Sequence, residues 1–222
     1  MTTENFLTVP RTARYFAIRE AGSATREVWF ALHGYGQLAA SFAHQCEALA
    51  DPRRLVLVPE ALSRFYLGDH VRPAGPDTKI GASWMTREDR EHEIQDYVHY
   101  LDILYARVFN SMKRESVSVH VLGFSQGTAT ATRWVTRGNV RADRLIIWGA
   151  PMPNDLEPAV DGERLRKMKL VLVAGNKDQY ITSKVLKAEQ ARLTQMGVPF
   201  RVVEFEGGHA IDGATLQKLA QD

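Results

Sequence analysis

The chain has 222 residues, 45% of them hydrophobic and 24% charged, with a formal net charge of +2 at pH 7. These values predict one soluble globular domain, residues 1–222, with a sizeable core. The near-balanced charge does not favour a nucleic-acid or acidic membrane partner, and no apolar run is long enough to span a bilayer. The single cysteine, Cys46, cannot form an internal disulfide, and the N-terminus shows no signal-peptide pattern. We therefore expect a cytoplasmic protein.

Short apolar runs alternate with amphipathic segments along most of the chain. Runs that are apolar on every residue indicate strands covered on both faces, as in a parallel sheet with helices on both sides. The sequence thus predicts an α/β fold with a mostly parallel central sheet. The predicted strands are residues 14–19, 27–32, 55–58, 117–122, 144–148, 169–174 and 200–205, and the predicted helices are residues 41–50, 87–113, 128–137, 162–168, 182–196 and 210–220.

Residues 59–87 interrupt this alternation, because no periodicity holds there and glycines and prolines punctuate the segment. A loop this long inside a compact domain is usually functional or disordered. Its apolar side chains offer surface that could cover a site, which argues against simple disorder. We therefore predict a long loop that borders the active site, with Phe65, Tyr66, Trp84 and Met85 as its apolar residues.

The most informative stretch is residues 117–127, where a β-branched run ends in Gly-Phe-Ser-Gln-Gly and a helix-forming segment follows at once. The pattern Gly-x-Ser-x-Gly between a strand and a helix is typical of a nucleophile elbow, with Ser125 at the apex. Gly123 and Gly127 allow the close approach of backbones that so sharp a turn requires. The backbone N–H of Gln126 would then face the space where an oxyanion forms.

A serine hydroxyl needs a base within hydrogen-bonding reach, and the base needs an acid that orients it. His209 follows the last predicted strand in a Gly-Gly turn, and Asp178 follows the preceding strand. Since ligands of open α/β sheets bind beyond the carboxyl ends of strands, these two residues are the candidate base and acid. Asp155 and Asp212 remain alternatives for the acid.

One further set of polar residues has the spacing of metal ligands. His92, Asp96 and His99 lie on one side of the predicted helix 87–113, but that side is opposite the apolar stripe and carries many charges. A solvated helix face explains them better than a metal site does, and we expect no metal and no organic cofactor.

Four segments together carry a resemblance to a known family: residues 32–36 (Leu-His-Gly-Tyr-Gly), 123–127, 175–178 and 208–209. In combination they resemble the phospholipase/carboxylesterase family of small α/β-hydrolases, which includes the acyl-protein thioesterases, over nearly the full chain. The resemblance implies an α/β-hydrolase fold without a large cap domain. It also implies a Ser125–Asp178–His209 triad and an oxyanion hole made by the backbone N–H groups of Tyr35 and Gln126.

The sequence departs from the family pattern at two places. Gln37 stands where family members often carry an acidic residue, and residues 180–182 read Tyr-Ile-Thr where a Val-Pro is usual. These departures leave the chemistry intact and concern the choice of substrate.

The predicted function is hydrolysis of short- to medium-chain acyl esters by a serine carboxylester hydrolase, through an acyl-enzyme. The alternatives are an acyl-thioesterase or lysophospholipase with the same triad, an acyltransferase or peptidase, and a non-catalytic binding protein on a hydrolase scaffold. The expected partner is a small-molecule ester or thioester; every apolar stripe is accounted for by core faces, so none indicates an oligomer. We expect the substrate pocket to be shaped by Phe65, Tyr66, Trp84, Met85 and Met152.

Overall fold

A computed structural model describes residues 1–68 and 75–222. Its centre is a seven-stranded sheet with the strand order β1-β3-β2-β6-β7-β8-β9, and a separate hairpin pairs β4 with β5. The strands are β1 (Tyr15–Ile18), β2 (Glu27–Leu32), β3 (Arg54–Pro59), β4 (Ser63–Tyr66), β5 (Ile80–Ser83), β6 (Ser118–Phe124), β7 (Arg144–Trp148), β8 (Lys169–Gly175) and β9 (Phe200–Phe205).

All neighbours in the large sheet are parallel except β1, which pairs with β3 in the antiparallel direction. The inner strands are buried along almost their whole length, as their apolar runs require. The prediction of a mostly parallel sheet is confirmed.

Helices cover both faces of the sheet and divide the core into two layers. Buried residues of α2, α3, α4 and α5 pack on one face, and those of α1 and α6 pack on the other. The helices are α1 (Ala39–Gln45), α2 (Arg90–Phe109), α3 (Gln126–Arg137), α4 (Asp161–Leu165), α5 (Ser183–Gln195) and α6 (Gly213–Leu219). Within residues 1–68 and 75–222, no helix is both long and apolar enough to cross a membrane.

The prediction that residues 59–87 form one irregular loop is wrong in part, because the segment contains the hairpin of β4 and β5. Each of these strands has only four residues, too few to show a clear alternation in the sequence. The hairpin approaches the loop that follows β2 very closely: a Cβ placed on Gly81 would lie 2.5 Å from the carbonyl oxygen of Gly36. Residues 69–74 of the predicted loop lie outside the described residues.

His120 on β6 lies buried between Trp29 on β2 and Arg144 on β7, near the end of the sheet at which these strands begin. The ring of His120 on β6 stacks on Trp29 at 4.5 Å between centroids, and its Nδ1 accepts a 3.0 Å hydrogen bond from Arg144 Nε. Within the described residues its Nε2 has no hydrogen-bond partner. Burial, together with the charge of Arg144, lowers the pKa of His120 to about 4.

This shift makes stability depend on pH in a defined window. In the unfolded chain His120 binds a proton below a pKa of about 6.5, whereas in the folded protein it does so only near pH 4. Because the unfolded state binds more protons between these two values, the free energy of unfolding falls as the pH falls from about 6.5 to about 4. We expect this residue to account for a loss of roughly 2–3 kcal/mol between pH 7.5 and 4.5. Urea unfolding at both pH values should show a smaller acid loss in His120→Gln. The exposed His44→Gln variant is the control; equal acid losses in all three proteins would contradict the assignment.

Candidate active site

The residues selected from the sequence meet at one edge of the sheet. Ser125 follows β6, Asp178 follows β8, His209 follows β9, and the loop from His33 to Gln37 follows β2. Because these strands are parallel, their carboxyl ends lie on the same side of the sheet. This edge is where α/β sheets bind ligands.

Ser125 sits on a strained turn between β6 and α3. Its φ of +53° and ψ of −118° lie outside the regions that a residue with a side chain normally adopts. The turn is held by neighbouring backbone, since the Ser125 N–H donates to the Trp148 carbonyl at 2.8 Å. Glycine is required on both sides: a Cβ on Gly123 would lie 2.3 Å from the Gly127 oxygen, and one on Gly127 would lie 2.2 Å from the Leu32 oxygen.

His209 and Asp178 form a tight hydrogen-bonded pair. His209 Nδ1 lies 2.7 Å from Asp178 Oδ2; since a carboxylate only accepts, Nδ1 carries the proton and Nε2 is free to act as a base. The other carboxylate oxygen, Oδ1, accepts from the amides of Tyr180 at 2.8 Å and Ile181 at 3.3 Å. The Asp178 side chain is 1% exposed and that of His209 is 19% exposed, so the acid is enclosed and the imidazole reaches solvent.

The imidazole of His209 packs against two neighbours, Phe124 and Gly149. The Phe124 ring, next to Ser125 in the chain, lies 4.9 Å from the His209 ring, and a Cβ on Gly149 would lie 3.1 Å from His209 Cε1. Within the described residues, no hydrogen bond joins Ser125 to His209. Such bonds are often long in unliganded enzymes and tighten when substrate binds.

The loop after β2 is fixed by buried hydrogen bonds. His33 Nε2 accepts from the Ala61 amide at 3.1 Å, so the proton of the neutral ring is on Nδ1, which donates to the Gly34 carbonyl at 2.8 Å. Burial lowers the pKa of His33, which keeps the ring neutral. Gln37 Oε1 accepts from the Gly34 amide at 2.8 Å. These contacts give His33 a structural role in the loop.

The two amides expected to form the oxyanion hole flank the serine. A Cβ on Gly34, next to Tyr35, would lie 3.1 Å from Ser125 Cβ, and Gln126 is the first residue of α3. First-turn amides of a helix have no partner within the helix. In the described ranges, the Tyr35 amide also has no hydrogen-bond partner. Both N–H groups are therefore available to a ligand oxygen.

The side chain of Gln126 has a role that sequence reasoning missed. Its Oε1 accepts from the Trp84 amide at 3.0 Å, and its Nε2 donates to the Met85 carbonyl at 2.8 Å and to Ser83 Oγ at 3.1 Å. These bonds fasten the end of the hairpin to the start of α3. The sequence around Gln126 contains no pattern from which hydrogen bonds to residues more than 40 positions away could be predicted.

Glu60, the residue that follows β3, is a second residue that sequence reasoning missed. Its buried carboxylate accepts from Arg14 at 2.7 Å, Arg64 at 2.6 Å and the Ala39 amide at 3.2 Å. Burial alone would raise the pKa of Glu60, but these hydrogen bonds outweigh burial and hold it below its ordinary value. The Glu60 carboxylate thus connects three parts of the chain: the segment before β1 through Arg14, the hairpin through Arg64, and the start of α1 through Ala39.

The five residues predicted to shape the substrate pocket fall into two groups. Phe65 packs on Tyr35 with 5.1 Å between ring centroids, Tyr66 is exposed and Met85 is half-buried. Trp84 and Met152, in contrast, are only 2% and 1% exposed. The expectation that these two residues present surface to substrate is corrected, because both side chains belong to the buried core. The Trp84 indole N–H donates to the His33 carbonyl at 2.9 Å and so stabilises the loop that follows β2 from its buried side.

The two alternative acids are engaged elsewhere. Asp155 forms ion pairs with Arg90, Arg133 and Arg137, each at 2.9 Å. Asp212 caps α6 by accepting from the Thr215 amide at 2.8 Å. Of the three candidates, Asp178 is the one in contact with His209. Within residues 1–68 and 75–222, no group of three potential ligands is placed to hold a metal ion.

An elbow serine, a buried aspartate paired with a histidine and two free amides, all beyond the carboxyl ends of a mostly parallel sheet, define the α/β-hydrolase class. In agreement, the sequence model of the serine hydrolase (FSH1) family matches residues 26–217. The chain belongs to this family and is a serine hydrolase. No curated protein sequence matches the chain.

Solved structures with a similar fold include hydrolases of comparable size. Acyl-protein thioesterase 2 of Zea mays has 19% identity and a TM-score of 0.65, over 95% of this chain and 97% of that one. SOBER1 of Arabidopsis thaliana has 17% identity and a TM-score of 0.65, over 89% and 97%. Esterase PE8 has 18% identity and a TM-score of 0.64, over 95% and 97%. At these identities the likeness concerns the fold, and the predicted α/β-hydrolase fold is confirmed.

Proposed function

We propose that the protein is a carboxylester hydrolase that works through an acyl-enzyme on Ser125. The observation that carries the proposal is the 2.7 Å pair of His209 and buried Asp178. His209 packs on the ring of Phe124, the residue before a serine with strained backbone angles. A non-catalytic scaffold has no need to maintain such a pair, a strained serine and two unpartnered amides together.

In the proposed reaction, Ser125 Oγ attacks the acyl carbonyl while His209 Nε2 takes the hydroxyl proton. The carbonyl oxygen becomes an oxyanion and accepts hydrogen bonds from the amides of Tyr35 and Gln126. Collapse of this intermediate breaks the bond to the alcohol or thiol, which leaves with the proton from His209. Water then attacks the acyl-enzyme with His209 as base, which releases the acid and restores Ser125. Asp178 holds the imidazole in the required tautomer throughout.

We propose short- to medium-chain acyl esters as substrates, with thioesters as the nearest alternative. The loop beside Ser125 carries the exposed side chain of Tyr35, the partly exposed Phe65 packs on that ring, and the partly exposed Met85 accepts a hydrogen bond from the Gln126 side chain through its carbonyl. Apolar rings of this kind suit a small acyl group at an open site. The similar folds include one protein named as an acyl-protein thioesterase and one named as an esterase, which supports testing both bonds.

The experiment measures kcat/KM for p-nitrophenyl esters and matched thioesters of increasing acyl length. In parallel, the protein is treated with an active-serine phosphonate and the modified residue is located by peptide mass spectrometry. We expect turnover that is highest for short or medium chains and modification of Ser125 alone. Turnover without Ser125 modification, or neither turnover nor modification, would overturn the proposed function. Modification with thioester turnover only would move the substrate class to thioesters.

A further inference from the structure

Tyr180 stands next to the proposed acid–base pair and has no part in the reaction described so far. Its backbone N–H donates to Asp178 Oδ1 at 2.8 Å, which fixes the position of the residue. Its side chain nevertheless points away from the core, and the residue is 63% exposed. This exposure is unusual for a large aromatic residue beside a buried carboxylate.

The ring of Tyr180 packs on the imidazole from the solvent side. The rings of Tyr180 and His209 are 4.7 Å apart at an interplanar angle of 64°, an edge-to-face contact. The Phe124 ring also contacts the imidazole, at 4.9 Å, and Phe124 is only 4% exposed. A ring that served only to hold His209 would be enclosed as Phe124 is. Most of the Tyr180 ring instead remains open to a bound molecule.

The chemistry assigns this open ring to one end of the substrate. The departing oxygen or sulfur receives its proton from His209 Nε2 and must therefore lie within hydrogen-bonding distance of that atom. The carbonyl oxygen is at the same moment directed to the amides of Tyr35 and Gln126, in another part of the site. The substrate portion that lies along the imidazole is thus the leaving alcohol or thiol.

We propose that Tyr180 is a specificity-determining residue that contacts the leaving group and favours alcohols or thiols carrying a planar apolar group. This inference rests on the proposed function, since it assumes acyl transfer to Ser125. Ring-to-ring contacts of this kind change affinities by about 2- to 10-fold. The acyl-enzyme no longer contains the leaving group, so Tyr180 acts on acylation and has no effect on deacylation.

The test compares two acetates, 2-phenylethyl acetate and propyl acetate, whose alcohols have similar acidity but differ in the ring. We measure kcat/KM of both esters for the wild type, Tyr180→Ala and Tyr180→Phe. Tyr15→Ala, another exposed tyrosine, on β1, is the matched control. We expect Tyr180→Ala to lower kcat/KM of the phenylethyl ester by about 2- to 10-fold. The propyl ester should be unaffected, Tyr180→Phe should retain the preference, and Tyr15→Ala should leave the ratio of the two kcat/KM values unchanged.

Other outcomes separate the failure of this inference from that of the proposed function. An equal fall for both esters in Tyr180→Ala would mean that the ring positions His209, and no change for either ester would mean that it contacts no leaving group. Both results overturn the inference and leave the esterase assignment standing. Absence of turnover by the wild type, with Ser125 unmodified by phosphonate, would overturn the proposed function and this inference with it.

Discussion

Replacing Ser125 with alanine is expected to lower kcat/KM for any ester substrate by about 10⁴- to 10⁶-fold. The change removes the attacking oxygen and leaves His209 with no group to activate. Folding should not suffer, because the elbow is held by backbone bonds such as the 2.8 Å contact from the Ser125 N–H to Trp148. We therefore expect an unchanged circular dichroism spectrum and a free energy of unfolding within about 0.5 kcal/mol of the wild type.

The matched control is Ser41→Ala, an exposed serine on α1, which should retain full activity. A folded Ser125→Ala protein that keeps a tenth or more of the wild-type kcat/KM would exclude Ser125 as the nucleophile. Loss of activity with loss of the folded spectrum would instead show that the elbow depends on the serine for its structure, contrary to the backbone contacts.

Replacing Asp178 with asparagine is expected to lower kcat by about 10⁴-fold, the effect of the same change in other serine hydrolases. The side chain keeps its size, and its remaining oxygen can still accept from the Tyr180 and Ile181 amides. The amide nitrogen, however, cannot accept a hydrogen bond from His209 Nδ1. The imidazole then favours the tautomer with the proton on Nε2, where it cannot act as a base toward Ser125.

Asp212→Asn provides the control for this experiment, because Asp212 lies three residues after His209 and was an alternative acid in the sequence. Asparagine caps helices about as well as aspartate, so the cap of α6 should survive and activity should stay near that of the wild type. Kinetics of the two variants under saturating ester will show which carboxylate supports the histidine. Comparable losses in both would contradict the assignment of Asp178.

The sequence predicted the sheet because the inner strands, such as β2 and β8, have no polar residue after the first position. It predicted the site because Ser125, Asp178 and His209 each follow a strand, and parallel strands bring such positions to one edge. Predicting that these three residues share one edge of the sheet requires only the order of the elements and the directions of the strands.

What the sequence did not predict depends on partners that are distant in the chain. Asp155 also follows a strand, and only the three-dimensional structure brings Arg90 and Arg133 of two different helices to it. Trp84 was expected at the surface of the site, yet its indole finds the His33 carbonyl 51 residues away and is buried there. Hydrogen bonds and ion pairs between residues so far apart in the chain produce no periodic pattern in the sequence.

The β4–β5 hairpin is attached to the two segments that carry the proposed oxyanion-hole amides. The Gly36 amide donates to the Ala82 carbonyl at 2.9 Å, the Ala82 amide donates to the Gln37 carbonyl at 3.2 Å, and the Gln126 side chain fastens the segment that follows. The hairpin, the Tyr35 loop and the start of α3 therefore form one connected frame. In the proposed reaction this frame would hold the amides of Tyr35 and Gln126 in place before charge develops on the substrate, so that little reorganisation energy is needed. We therefore expect that changes to an outward-facing side chain of β4, such as Tyr66, can alter the substrate range without moving the proposed oxyanion-hole amides.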